Sequence, residues 1–280
     1  MTTPTEPAVE VRGLHIVRGG NTIVKGLNCR IAARSYTAIL GPNGSGKTTL
    51  MRAITGQTFI TGGTVRVLGE TIGQTDIRSL RRRVGMVDTA GGTHVPGASV
   101  DPQLTTHDAV LTGFFSTVGL YDRPDEGQHR RVTALLEQVG LAHRSHLAFG
   151  RLSTGEQRRC MIAPALVHMP ELLILDEPAA GLDLPGREQV LAAVESILSI
   201  PQPPAVLMIT HHIEELSPRT SQVLLIKNGQ IVVAGPPDDV ITSEALTDTF
   251  GCKVLVNRRH RRFWLEVLPE AWSDLVPGLS

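Results

Sequence analysis

The sequence predicts an α/β fold with a mostly parallel sheet, an N-terminal antiparallel β subdomain and an inserted α-helical subdomain. Short apolar runs such as 172–175 are typical of parallel strands buried on both faces. Weak alternation before residue 31 predicts paired strands, which form the β subdomain. Between about 105 and 169 only helical patterns occur, which indicates that a helical subdomain interrupts the α/β core.

The first hundred residues predict a hairpin followed by alternating strands and one helix. Residues 9–17 alternate weakly, and a turn at Gly19-Gly20 leads into a second strand over 21–31. Further on, the patterns predict a strand over 37–40, a helix over 50–54, strands over 64–67 and 84–87, and a Gly-rich loop over 89–103.

Three helices are predicted in the inserted subdomain, over 106–113, 128–140 and 155–168. In the second helix, apolar residues recur at i, i+3, i+4 and i+7 and give one apolar face. Pro164 lies inside the third helix, where proline costs about 3 kcal/mol, so a kink or an early end is expected.

The remaining elements return to the α/β pattern and end in a hairpin. They are strands over 172–175 and 205–209, a helix over 187–199, a hairpin around Asn228-Gly229, a helix over 243–250, and a terminal hairpin over 253–267. Asn-Gly favours a type I′ turn. The basic run 258–262 is expected at the exposed tip of the last hairpin, and contact with anionic lipid or nucleic acid is the alternative.

Composition narrows the class of protein. The 280 residues carry a formal net charge of +0, which argues against nucleic-acid binding through an overall positive field. We expect no membrane span, because no apolar run reaches eighteen residues, and the first ten residues lack signal-peptide features. The three cysteines are scattered, which suits a reducing compartment, so we expect a cytoplasmic protein.

The stretch Gly41–Thr49 fits the pattern G-x-x-x-x-G-K-[ST] between a predicted strand and a predicted helix. Glycines allow a tight turn that directs several backbone N–H groups onto one anion, and the helix start adds its positive end. Lys47 supplies a cation for the β- and γ-phosphates, and the Thr48 hydroxyl can bind Mg²⁺. The alternative, a Gly-rich turn with a chance lysine, does not explain the whole pattern in this context.

Two acids end the predicted strand 172–175. Asp176 stands where a carboxylate can complete a Mg²⁺ shell, and Glu177 stands where a general base can reach an attacking water. The structural alternative is a helix cap. The phosphate loop elsewhere in the chain favours the hydrolytic interpretation.

The segment Leu152–Gln157 opens a predicted helix. Ser153 at the N-cap and Glu156 three residues later form a capping-box pattern, and a Ser-x-Gly turn at a helix start is also an anion site. Here the chain resembles the ATP-binding cassette (ABC) ATPases, whose signature is L-S-G-G-Q. In that family two ATPases pair head to tail, and the signature of one closes over the nucleotide in the phosphate loop of the other.

The resemblance extends to about Phe250 and implies a RecA-like P-loop NTPase core. Residues 172–177 resemble the second nucleotide motif, and 180–183 resemble the dimer-contact loop. Thr210-His211 resembles the switch motif, which implies that His211 touches the γ-phosphate and positions water; His212 matches no role and is expected to be structural. The resemblance implies a domain over 1–250 and a short extension over 251–280.

The implied site binds ATP and Mg²⁺. The resemblance assigns catalytic roles to Glu177, His211 and Lys47, and it assigns Mg²⁺ binding to Thr48 and Asp176. Nucleotide contacts fall to Gly41, Pro42, Asn43, Gly44, Ser45, Gly46, Lys47, Thr48, Thr49, Arg18, Ser153, Gly155 and Glu156.

The chain departs from the family pattern at the residue that stacks on adenine, just after the strand 84–87, and in the signature segment. Arg18 replaces the usual aromatic residue that stacks on adenine, and a guanidinium can also stack on a base. Asp88-Thr89 stands where a glutamine usually completes the Mg²⁺ shell and communicates with the membrane partner. Thr154 and Glu156 replace the signature glycine and glutamine.

We interpret the chain as a transport ATPase that closes as a homodimer on two ATP molecules and drives a separate membrane permease from the inner membrane face. A substrate-binding protein is a further candidate partner. The runs 113–121 and 153–159 resemble molybdenum-transport-type ATPases and the tail resembles those of iron–siderophore importers, which implies metal, oxyanion or siderophore import. The alternatives are a soluble ABC ATPase with a regulatory or assembly role, and a different P-loop enzyme such as a kinase or GTPase.

Overall fold

The computed structural model describes residues 6–88 and 100–268. Contacts divide the chain into two compact units, the first built from residues up to 77 and from 207 onward, the second from 78–206. Among the described helices, none combines the length and the apolar character that crossing a bilayer requires.

Strands and helices follow one another along the chain, several of them in runs of two or three. The strands are β1 Val9–Arg18, β2 Asn21–Ile31, β3 Tyr36–Leu40, β4 Gly62–Val67, β5 Glu70–Thr71, β6 Val84–Asp88, β7 Leu172–Asp176, β8 Ala205–Thr210, β9 Gln222–Lys227, β10 Gln230–Gly235, β11 Val254–Arg259 and β12 Arg262–Val267. The α-helices are α1 Lys47–Ile54, α2 Ile77–Arg83, α3 Thr106–Phe115, α4 Glu126–Gln138, α5 Thr154–Leu166, α6 Leu184–Leu198, α7 Pro237–Val240 and α8 Ser243–Phe250.

The first unit contains the predicted antiparallel β subdomain. Its strands lie in the order β2-β1-β4-β5, and β1 pairs antiparallel with both β2 and β4. A second sheet places β9 between β10 and β3, with β3 and β9 parallel, and β3 is buried at all five residues. Asn228 and Gly229 both have positive φ, 50° and 77°, as the predicted type I′ turn requires.

The terminal hairpin packs into the core of the first unit. Val254 and Phe263 belong to one buried cluster with Ala38 and Leu40 of β3. The strands run further into the basic run than expected: β11 ends at Arg259, β12 starts at Arg262, and only His260 and Arg261 form the turn. The domain boundary at residue 250 stays a prediction. The hairpin beyond residue 250 contributes apolar side chains to the core of the first unit.

The second unit combines parallel strands with the predicted helical subdomain. β6 and β7 pair in parallel from Val84↔Leu172 to Asp88↔Asp176. The three expected helices are present as α3, α4 and α5, and between 105 and 169 the described residues form no strand, only an isolated bridge. The sequence patterns gave no element for α2, in which Leu80 is the one buried residue.

Pro164 lies close to the end of α5, which stops at Leu166, two residues before the predicted end. A methyl group on Gly113 of α3 would lie 2.6 Å from the carbonyl oxygen of Pro164. Glycine at position 113 therefore permits the close packing of α3 against the proline turn of α5.

Candidate functional site

The loop before α1 adopts backbone conformations that depend on glycine. Gly44 and Gly46 have φ values of 77° and 107°, and Gly46 occupies the N-cap position of α1 without any side-chain cap. A Cβ at Gly41 would overlap the carbonyl oxygen of Ile226 on the neighbouring strand β9. The loop therefore combines glycine-dependent backbone turns with an uncapped helix start, the arrangement that binds a phosphate.

Lys47 is held inside this loop by the loop's own carbonyl groups. Its Nζ donates to the carbonyl oxygens of Gly41 at 2.7 Å and Pro42 at 3.0 Å, and only 5% of the residue is exposed. The hydrogen bonds fix a positive charge at the loop, where a polyphosphate would replace neutral carbonyls as its partner and strengthen the interaction.

Ser45 gives an independent test of whether the loop fits a phosphate. Its Oγ is buried, and among the described residues it has no hydrogen-bond partner. A buried hydroxyl without a partner is unfavourable unless a ligand satisfies it. Together with the glycine backbone and Lys47, this donor fits the phosphates of a nucleotide.

The hairpin turn at Asn228-Gly229 is hydrogen-bonded to the same loop. The Gly229 N–H donates to the Ser45 carbonyl at 2.9 Å, and the Gly229 carbonyl accepts from the Lys25 N–H at 2.9 Å. The sequence predicted this turn but not its contact with the loop, because Ser45 and Gly229 are far apart in the chain.

The other nucleotide-binding candidates in the first unit are more exposed. Thr48 on the first turn of α1 is exposed, Thr49 is half-buried, and Asn43 lies in the exposed part of the loop. Arg18 is exposed at the end of β1, where it pairs across the turn with Asn21. Its guanidinium therefore lies at the surface, as a stacking role toward a base requires, and that role stays a prediction.

The two acids after β7 differ in environment. Asp176 is the last residue of the strand and is 5% exposed, whereas Glu177 is half-buried. Glu177 has a positive φ of 49°, rare for a residue with a side chain, and its carbonyl accepts the Ala180 N–H at 3.0 Å. Backbone strain of this kind persists only where the surroundings enforce it, and it often marks functional positions.

Asp88 ends β6 directly beside Asp176. The parallel register pairs these two residues, so two carboxyl-bearing positions lie next to each other at the ends of β6 and β7. Arg158 of α5 lies close enough to interact electrostatically with Asp88, and burial lowers the pKa of Arg158. The neighbouring Thr89 lies outside the described residues. Over residues 6–88 and 100–268, no group of three or more His, Cys, Asp or Glu side chains could hold a metal ion.

The signature segment forms the predicted capping box. Ser153 Oγ accepts the Glu156 N–H at 3.3 Å, and Glu156 Oε2 accepts the Ser153 N–H at 2.8 Å. Arg144 Nε also lies 3.1 Å from Glu156 Oε1. The Ser153 N–H, with a further contribution from Arg144, lowers the pKa of Glu156 below its usual value. This carboxylate is thus engaged as a helix cap, and its charge would repel a phosphate.

The segment after Glu177 packs beside the signature helix. Asp183 caps α6 through its Oδ1, which accepts the Gly186 N–H at 2.9 Å. A Cβ on Gly155 would lie 3.3 Å from the Cα of Gly186, so the start of α5 and the start of α6 are close. Substituting Gly155 would press these two helix starts apart.

The switch candidate His211 follows the buried strand β8. Thr210 Oγ1 donates to Glu215 Oε2 at 2.6 Å and accepts the His212 N–H at 3.0 Å. The rings of His211 and His212 are in contact, with centroids 4.0 Å apart. The sequence patterns did not reveal the Thr210–Glu215 pair, in which both residues are buried.

Comparison with known proteins identifies the family. The family described as "ABC transporter" matches residues 24–180. The chain belongs to the ABC transporter family. It is 31% identical over 249 residues to the uncharacterized ABC transporter ATP-binding protein YlmA of Bacillus subtilis, covering 89% of this chain and 92% of that protein. It is 32% identical over 249 residues to the Nod factor export ATP-binding protein I of Ralstonia nicotianae, covering 89% and 72%.

A solved structure supports the same assignment. CbiO1 from Clostridium perfringens, part of the ABC transporter complex CbiONQ, is 26% identical with a TM-score of 0.74 over 87% of this chain and 94% of that one. The predicted ABC ATPase fold is confirmed, and this ABC chain is the ATP-binding subunit of a transporter. The names of these proteins do not support the molybdenum- or siderophore-type subgroup.

Proposed function

We propose that this ABC subunit hydrolyses ATP as a head-to-tail pair of copies and thereby powers a separate membrane permease. The buried Ser45 hydroxyl, which has no partner among the described residues, carries the proposal together with the Lys47 ammonium of the same loop, because this combination fits a phosphate ligand. Association with the cytoplasmic membrane face follows from the permease partner.

The loop residues position and neutralise the nucleotide. Backbone N–H groups of residues 41–49 and the start of α1 bind the phosphates, and Lys47 moves its hydrogen bonds from loop carbonyls to the β- and γ-phosphates. Arg18 stacks on the base. Thr48 and Asp176 would hold Mg²⁺, which when bound neutralises charge on the phosphate oxygens.

Glu177 and His211 act on the attacking water. The carboxylate of Glu177 accepts a hydrogen bond from the water and orients it, while His211 donates toward the γ-phosphate and stabilises charge in the transition state. The positive φ of Glu177 sets the direction in which its side chain leaves the strand end.

The signature of the partner copy completes each site. Ser153 and Gly155 supply a hydroxyl and a helix start for the γ-phosphate. We assign Glu156 an indirect role: it orients Ser153 through the capping box instead of contacting the phosphate.

Glu177→Gln tests this mechanism. Glutamine keeps the size of the side chain but removes the base, so the variant should bind ATP, fail to hydrolyse it and accumulate as an ATP-bound dimer in size-exclusion chromatography with light scattering. Glu171→Gln is the matched control. Glu171 stands just before β7, whereas Glu177 stands just after it, and the Glu171 side chain is exposed and forms an ion pair with Arg83. Normal hydrolysis by a monomeric Glu177→Gln protein would exclude the shared-site mechanism.

The membrane partner needs a separate test. Tagged Glu177→Gln protein purified from native membranes with ATP should carry a polytopic membrane protein in stoichiometric amount. A soluble homodimer without a membrane protein would instead favour a regulatory or assembly ATPase. Asp88 is the observation that favours this alternative, because Asp88 stands where the family has the glutamine that communicates with a permease. We propose that the cargo is a metal, an oxyanion or a siderophore and that it is imported. Because the cargo contacts the permease and not this subunit, identifying the permease is the test of this proposal.

A further inference from the structure

The short turn that follows His211 is too small to hold its own position. Ile213–Glu215 is a single 3₁₀ turn, and turns of this length have few internal hydrogen bonds and poor hydrogen-bond geometry. Its position must therefore depend on the groups that contact it from outside.

One anchor lies on the buried side of the turn. Glu215 is 2% exposed and accepts the Thr210 hydroxyl at 2.6 Å, and the same hydroxyl accepts the His212 N–H. The Thr210 hydroxyl thus hydrogen-bonds both to His212, the residue after His211, and to Glu215 at the end of the turn.

The second anchor is the terminal hairpin. Arg262 Nη2 donates to the Glu214 carbonyl at 2.7 Å, and the Leu265 N–H donates to Glu214 Oε1 at 3.2 Å. Strand β12 therefore holds Glu214 at both its backbone and its side chain. The hairpin itself is fixed in the core through Val254 and Phe263.

Arg262 is also fixed in place. Its guanidinium lies over the Trp264 ring, 5.3 Å from the centroid, which limits the number of orientations that the long side chain can adopt. A pre-oriented guanidinium loses less conformational entropy when it holds the Glu214 carbonyl.

We propose that Arg262 is a positioning residue for His211 and that the terminal hairpin sets the activity of this switch. The hairpin lies beyond residue 180, where the family match ends. The inference rests on the proposed function, because it requires His211 to act in hydrolysis. Loss of the Arg262 contact would let the turn move, so His211 would spend less time in its productive orientation.

The experiment measures steady-state ATP hydrolysis by the full chain. Arg262→Ala should lower kcat about five- to tenfold and change KM for ATP less than about twofold, as coupling energies between interacting residues allow. Arg262→Lys retains one donor and should recover part of kcat. Arg258→Ala is the matched control: Arg258 lies over Phe263 in the same hairpin, but its ion pair at 2.7 Å goes to Asp238. Its kcat should stay unchanged.

A double variant shows whether Arg262 acts through His211. The His211→Ala/Arg262→Ala protein should hydrolyse ATP no more slowly than His211→Ala alone, because nothing remains to be positioned. An additive loss, or an Arg262→Ala kcat equal to that of Arg258→Ala, would overturn the inference. If Arg262→Ala does not fold, Glu214→Ala against Glu214→Gln tests the other contact between the hairpin and the turn, since only glutamine retains the Oε1 acceptor for the Leu265 N–H. Equal kcat values for these two variants would overturn the role of the hairpin.

The two proposals fail in different ways. If His211→Ala hydrolyses ATP normally, the proposed role of His211 is wrong and the positioning role is lost with it. If His211→Ala is slow and Arg262→Ala is normal, the proposed function stands and the role of the hairpin is rejected.

Discussion

The Gly229 N–H donates to the Ser45 carbonyl over 2.9 Å, so the turn between β9 and β10 is hydrogen-bonded to the phosphate loop. Glycine is needed at this point for two reasons. Its φ is 77°, and a Cβ would overlap the carbonyl oxygen of Ile23. The shape of the loop therefore depends on a turn that lies outside every nucleotide motif.

Gly229→Ala should destabilise the protein and weaken ATP binding. The added methyl group forces the turn away from Ile23 and pulls on Ser45, with an expected loss of about 2–3 kcal/mol in the free energy of unfolding. Gly251→Ala is the control, because Gly251 also has positive φ but open space around it, and should lose about 1 kcal/mol. Denaturant unfolding and ATP titration measure both; equal effects in the two variants would refute the role of the turn.

Lys47→Ala should reduce ATP hydrolysis by about 100-fold, because it removes the cation that the loop holds at the phosphates. Lys25→Ala removes an exposed charge of the same kind from β2 and should leave hydrolysis unchanged. Turnover at saturating ATP with Mg²⁺ makes the comparison. A Lys47→Ala protein with wild-type turnover would contradict the assignment of the loop.

The Glu156 carboxylate should contribute to the free energy of unfolding in a pH-dependent way. Its pKa in the folded chain lies below the ordinary value of 4.5, chiefly because it accepts the Ser153 N–H. The carboxylate therefore stabilises the fold fully above pH 4.5, and this contribution is lost as pH falls through the lowered pKa. The free energy of unfolding of wild type minus that of Glu156→Gln should shrink over this acid range.

Glu126→Gln is the comparison for this pH series, since Glu126 is exposed and forms only a weak contact with Arg130 at 3.4 Å. The difference in free energy of unfolding between wild type and Glu126→Gln should stay nearly constant over the same pH range. The Glu156→Gln protein also lacks the negative charge at the signature, so it should form the ATP-bound dimer at lower ATP concentration. A pH-independent difference for Glu156→Gln would show that its charge does not stabilise the fold.

Cys160 should resist alkylation in the folded protein. It is fully buried on α5, and burial raises the pKa of its thiol to about 12, so very little thiolate forms at neutral pH. Cys252 is only half-buried and provides the internal control. Mass spectrometry after iodoacetamide treatment should find Cys252 modified and Cys160 unmodified until denaturant is added. Equal labelling of both thiols would contradict the burial of Cys160.

Local patterns in the sequence predicted most of the fold because they depend on neighbouring residues. The apolar runs that became β6 and β7 and the Asn228-Gly229 turn are of this kind. Helix α2 was not predicted, since Leu80 alone among its residues is buried and so its sequence carries no apolar periodicity.

Contacts between distant parts of the chain could not be predicted in the same way. The register that sets Asp88 beside Asp176 depends on how two strands pair, and each strand was predicted separately. The basic run was expected at an exposed tip, and residues 258–261 are exposed there. The prediction gave no partners, whereas Arg258 forms an ion pair with Asp238 and Arg262 donates to the Glu214 carbonyl. Sequence patterns identify the charges but not the partners that they meet after folding.

The arginine that lies over Trp264 gives this ABC subunit its own optical reporter. Indole emission depends on the charge beside the ring, and the guanidinium of Arg262 lies 5.3 Å from the ring centroid while holding Glu214. The chain has only one other tryptophan, Trp272, which lies outside the described residues. With Trp272 replaced by phenylalanine, the fluorescence of Trp264 would follow in real time how the turn after His211 responds to ATP, without any attached dye.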